Sequence, residues 1–91
     1  MKLIPTNKFT KQSAKIVKNN SALKSNLQDT LIKLANDPFD QSLFTHKLKG
    51  ELAGRYAARL TVDLRIIFKV EKFKEEDCIL LLGIGTHDVV Y

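Results

Sequence analysis

The chain is predicted to adopt an α+β fold, a mainly antiparallel sheet of about four strands with an N-terminal helical hairpin packed on one face. Three observations carry this. Apolar residues recur at helical spacing in two stretches between Phe9 and Ala35. Period-two alternation rich in Ile, Val, Phe and Tyr then runs over Arg55 to Thr61 and Leu64 to Glu71. Finally, Cys78 to Ile84 is apolar at nearly every position, as expected of a strand in the sheet interior.

The elements follow in order. Lys2-Leu3-Ile4 reads as a short strand stopped by Pro5, which cannot donate a ladder hydrogen bond. Thr6 or Asn7 can cap a first helix, whose Phe9, Ser13, Ile16, Val17 and Asn20 share a face while Lys8, Lys11, Lys15 and Lys18 lie around the rest. Asn19-Asn20-Ser21 breaks the chain, and Leu23, Leu27, Leu31, Leu34 and Ala35 mark a second helix ended by Asn36-Asp37-Pro38. Asp37 to Thr45 shows no period and is read as a loop delivering the basic segment His46-Lys47-Leu48-Lys49-Gly50. Two strands meet near Val62-Asp63, and Lys72 to Asp77 is the charged connection to the last strand.

Composition bounds the possibilities. With 91 residues, 44% of them hydrophobic and 27% charged, the chain is expected to be one soluble domain over 1–91. Fifteen Lys and Arg against ten Asp and Glu give a net charge of +5, which favours a polyanionic partner: RNA, DNA or an acidic protein. The single cysteine, Cys78, sits in the apolar run and is expected to be an inert thiol in a reducing cytoplasm. That run is far short of the roughly 20 residues a membrane helix needs, and no signal-peptide pattern opens the chain. Membrane insertion and export are therefore not expected.

The hairpin register is arguable because a one-residue slip turns every side chain to the other face. A turn centred on Val62 sets Leu60 against Leu64, Ala58 against Ile66 and Tyr56 against Phe68, one apolar face for the helices to cover. The other face then sets Arg59 against Arg65 and Arg55 against Lys69, like charge against like. Two readings fit this: a solvated outer face, or a phosphate cradle built from arginine's planar fork. Lys47 and Lys49, two apart, are either a solvated pair or further phosphate contacts.

His87 follows the apolar strand through Gly83-Ile84-Gly85-Thr86 and is expected at the sheet edge, within reach of solvent. A histidine, with an ordinary pKa of about 6.5, can give or take a proton near neutrality. Cleaving RNA through its own 2'-hydroxyl needs a base for that proton, an acid for the departing 5'-oxygen, and cations for the phosphorane. The scheme calls for no metal, and His87-Asp88 has no ligand cluster of usual spacing beside it, so no metal or cofactor is expected. His46, in the basic segment, is either a surface residue or a second proton carrier. Tyr91 is either a frayed terminus or a ring to stack on an unpaired base.

In their order along the chain, the segment His46-Lys47-Leu48-Lys49-Gly50, the hairpin Val62 to Phe68 and the terminal Gly85-Thr86-His87-Asp88-Val89-Val90-Tyr91 resemble the RelE superfamily of bacterial type II toxins, its YafQ-like branch in particular. The resemblance implies a curved sheet with both helices on one side. It also implies a ribosome-dependent endoribonuclease that cuts messenger RNA in the decoding site and is held inactive by a cognate antitoxin in a hetero-oligomer. It makes His46, Asp63 and His87 catalytic and Tyr91 a substrate contact; for Asp63 the alternative is a plain turn former. The RNA-binding set is then Lys47, Lys49, Arg55, Arg59, Arg65 and Tyr91. The sequence departs from the pattern twice: Arg59 stands where many relatives carry histidine, and Gly83 where many carry arginine. Arg59 and Arg65 are the candidates to supply transition-state charge. Two alternatives stay open, a ParE-like toxin that binds gyrase and a basic module that binds RNA or antitoxin without cutting.

Overall fold

The computed structural model describes residues 1–86. A first strand, β1 (Lys2–Pro5), leads into two helices, α1 (Asn7–Asn19) and α2 (Leu23–Asn36). Four more strands follow: β2 (His46–Lys47), β3 (Tyr56–Arg59), β4 (Leu64–Phe73) and β5 (Glu76–Thr86). The sheet has five strands in the order β1-β5-β4-β3-β2, with β1 parallel to β5 and the other neighbours antiparallel. The α+β class and the mainly antiparallel sheet are as expected; the strand missing from the expectation is β2. Two residues of the basic segment add it to the edge, His46 opposite Ala57 and Lys47 opposite Tyr56. So short a strand carries no periodic signal.

Local chemistry explains the helix boundaries. Thr6 is extended (φ −82, ψ 164), and its hydroxyl accepts the Phe9 N–H at 3.2 Å, the N-cap the sequence offered. The same hydroxyl donates to the Leu81 carbonyl at 2.8 Å, so the cap also fastens α1 to β5. Between the helices the Asn20 side chain accepts the Ala22 N–H; Asn20 is exposed and lies just past α1, so it leaves the inward face predicted for it. Both helices cover one face of the sheet. Phe9, Leu27 and Leu34 join Ala58, Leu60, Ile66, Phe68, Ile79, Leu81 and Ile84 in the main core.

The hairpin forms in the predicted register: Tyr56 opposite Phe68, Ala58 opposite Ile66, Arg59 opposite Arg65. The turn closes with the Leu60 N–H on the Leu64 carbonyl and with Thr61 Oγ1 accepting from Asp63 and Leu64 N–H. One expected pair is absent. β3 begins at Tyr56, so Arg55 does not face Lys69 in the ladder. Gly54, at φ +88, turns the chain just before it, and the backbone of Arg55 bonds to Leu52 and Leu48 instead. The connection expected over Lys72 to Asp77 shrinks to Lys74 and Glu75, both at positive φ, as in the two-residue turns whose twist suits a hairpin. Neither residue is the Gly or Asn that usually announces such a turn.

The second face of the sheet has its own small cluster. Leu48, Ala57 and Ile67 are buried there, with Leu52 and Leu82 packed against them. A register shift between Ile67 and Phe68 opposes one extra β5 residue, Leu82, to β4, and such bulges increase local twist.

Candidate active site

Reading across the paired strands gives two rows on the second face. One is His46, Ala57, Ile67 and Gly83; the other is Arg59, Arg65 and Gly85. Small residues at Ala57, Gly83 and Gly85 keep this face low between its charged rims. At this end β4 and β5 pair as far as Leu64 opposite Thr86. Asp63 directly precedes Leu64 and so stands at this end of the strand pair, next to the Arg59–Arg65 row. His87 and Tyr91 themselves lie outside the described residues.

The arginines are held in ways the sequence did not announce. Arg65 folds back over its own turn, Nη1 donating to the carbonyls of Thr61 at 2.8 Å, Val62 at 3.1 Å and Leu64 at 3.2 Å. Among the described residues these bonds use Nη1 alone, leaving Nη2 and Nε of a braced guanidinium as further donors. Arg59 lays its guanidinium over the Phe44 ring, 5.3 Å from the centroid. Phe44 is 63% exposed and at φ 48, a left-handed conformation that is unusual for a bulky side chain. The carbonyl of Phe44 lies 3.2 Å from Nδ1 of His46. Phe44 thus bridges His46 to Arg59.

His46 is not adjacent to the Asp63 end. Two strands and two residues separate it from Arg65, on the order of 12 Å at ~4.8 Å per strand and ~3.4 Å per residue. Lys47, Lys49 and Arg55 are exposed, and Lys47 pairs with Tyr56 in the row of the helix-covered face, so it does not share a face with His46.

Beside the second row an open cleft of about 130 Å³ is lined by Lys8, Gln12, Leu52, Arg55, Ile67, Leu82, Gly83, Ile84 and Gly85. β1 pairs with β5 only as far as Leu81, so beyond it the edge of β5 is met by α1. There Gln12 Oε1 accepts the Ile84 N–H at 2.8 Å. A Cβ on Gly83 would stand 2.9 Å from that oxygen and 3.9 Å from Lys8 Cε, so the site where relatives carry an arginine is occupied here from α1. Sequence reasoning missed Lys8, Gln12 and Phe44. For Gln12 a signal existed, a polar residue among the inward positions of α1.

The family model described as a bacterial toxin of type II toxin-antitoxin system, YafQ, matches residues 1–91. The chain belongs to this YafQ toxin family. Solved structures agree with the YafQ-type fold. A YoeB/ParE toxin from Agrobacterium tumefaciens has a TM-score of 0.80 at 21% identity, over 96% of this chain and 99% of that one. A metal-bound toxin from Helicobacter pylori has a TM-score of 0.79 at 27% identity, over 100% and 99%. The E. coli DinJ-YafQ toxin-antitoxin complex has a TM-score of 0.74 at 18% identity, over 98% and 94%. Comparison with curated protein sequences gives no match. As a YafQ-family toxin, the chain has among its described residues no helix long and apolar enough to cross a membrane.

Proposed function

We propose that this toxin is a ribosome-dependent endoribonuclease that cuts messenger RNA by general acid–base catalysis at the open end of β4 and β5. The observation supporting it is the Arg59–Arg65 row at the end of β4 and β5 where Leu64 pairs with Thr86, with Asp63 in the turn beside it. In the reaction the 2'-oxygen attacks phosphorus and its proton passes to a base. The bond from phosphorus to the 5'-oxygen breaks as an acid protonates that oxygen, leaving a cyclic phosphate and a 5'-hydroxyl. Asp63 and His87 divide these proton transfers. Arg65, braced by its own turn carbonyls, and Arg59, held on Phe44, offer charge to the phosphorane without needing to reorganise. His46, catalytic in the family resemblance, stands at the far row, where with Arg55 it engages the flanking RNA, which Lys47 and Lys49 meet around the edge of β2. Tyr91 stacks on a base. The cognate antitoxin is the partner that holds the toxin inactive, as the DinJ-YafQ complex suggests by likeness.

Expressing His87→Ala without antitoxin tests the reading. The variant should fold, bind antitoxin and fail to arrest growth, while the wild type stops protein synthesis before DNA replication and yields cut messages on translating ribosomes. Full toxicity of a folded His87→Ala protein, or replication stopping first, would refute it.

A further inference from the structure

The cleft beside Gly83 draws its walls from parts of the sequence far apart. On one side α1 presents Lys8 and Gln12, four residues apart and therefore on one helix face. On the other, the turn after Gly50–Leu52 presents Leu52 and Arg55. Ile67, Leu82, Gly83, Ile84 and Gly85 complete the lining, with the Gln12 side chain over Gly83. No carboxylate is among the described residues that line the cleft, and the ion pair found among the described residues, Lys69 with Glu71, lies elsewhere. Two cations, Lys8 and Arg55, therefore share the cleft with no acid among its described lining residues. Gly85 runs directly into Thr86, the end of β5.

We propose that this cleft binds one phosphate of the RNA strand next to the one that is cut, clamped between Lys8 and Arg55, so that helix α1 is part of the RNA-binding site. This rests on the endoribonuclease reading above. Lys8 supplies a point charge and Arg55 a fork, and between them they can hold a tetrahedral anion. Gln12 serves as a positioning residue: by accepting the Ile84 N–H it holds the end of β5 at a fixed distance from Lys8. A phosphate suits the cleft better than an acidic peptide, because a phosphodiester chain can continue from it along the arginine row to the strand end.

The test uses the purified toxin and a short single-stranded RNA methylated at every 2'-oxygen, which can bind but cannot be cut. Lys8→Gln and Arg55→Gln should each weaken binding roughly tenfold, the scale of a charged hydrogen bond. Each should also flatten the slope of log affinity against log salt by about 0.7, the loss of one phosphate contact on a single strand. Lys8→Arg should restore both, and melting temperature should not change because Lys8 is exposed. If the wild type binds and cuts while Lys8→Gln matches its affinity and slope, the clamp is wrong and the endoribonuclease reading stands. If Lys8→Gln weakens antitoxin binding but not RNA binding, the cleft belongs to the antitoxin and the proposal is overturned. If the wild type neither binds the RNA nor cuts messages on ribosomes, the functional reading falls and the clamp with it.

Discussion

Replacing Gly83 by Ala tests the contact that joins α1 to the active strand. Gly83 has no positive φ, so alanine suits its backbone, and by restricting the unfolded chain the change alone would stabilise by about 0.4–1 kcal/mol. The new methyl would stand 2.9 Å from Gln12 Oε1, closer than carbon and oxygen tolerate. That oxygen ends a flexible side chain and can swing away, but only by releasing the Ile84 N–H it holds at 2.8 Å. Ile84 is 6% exposed, so water replaces the bond poorly, and an orphaned buried donor costs about 1–3 kcal/mol. The net expectation is a loss of about 1 kcal/mol, read as a lower midpoint in urea at unchanged slope. A double-mutant cycle isolates the contact. In a Gln12→Ala background the bond is already gone and Gly83→Ala should turn neutral or stabilising, a coupling of about 1–2 kcal/mol. Equal cost in both backgrounds, within about 0.5 kcal/mol, would mean that Gln12 does not hold β5 as described.

Two further outcomes are expected. Thr6→Ala removes both the N-cap on Phe9 and the tie to the Leu81 carbonyl, so it should cost about 2 kcal/mol, with Thr6→Ser recovering most of it; an unchanged urea midpoint would refute this double role. Phe44→Gly relieves a left-handed phenylalanine but frees the unfolded chain and releases Arg59, one favourable term against two unfavourable ones of about 1 kcal/mol each, a net loss of about 1 kcal/mol. The urea midpoint should fall modestly while messenger cleavage falls, and unimpaired cleavage would show that Arg59 needs no such support.

The sheet was legible where periodicity and burial agree. The register around Val62 followed from the apolar face alone, since a slip by one would have turned Phe68 and Ile66 to solvent. What was not legible depends on contacts without a period. β2 exists because two residues of a basic loop happen to pair with Ala57 and Tyr56. The tight turn at Lys74 and Glu75 runs against the usual residue preferences, and the long strands on either side impose it. Arg55 leaves the predicted ladder because Gly54 turns the chain first.

The site divides the same way. That Arg59 and Arg65 would face each other was a consequence of register, and it holds. How they bear their mutual repulsion was not readable. Each guanidinium is drawn off in its own direction, Arg65 onto three turn carbonyls and Arg59 onto an aromatic ring, so like charges sit in one row without pointing at each other. This answers the question the pairing raised, whether the repulsion called for a functional reason. Local bonds already relieve it, so the pair by itself is not proof of a ligand. The case for an anion rests instead on the cleft beside Gly83, where Lys8 and Arg55 stand with no acid among the described lining residues, and there the salt dependence of RNA binding is decisive.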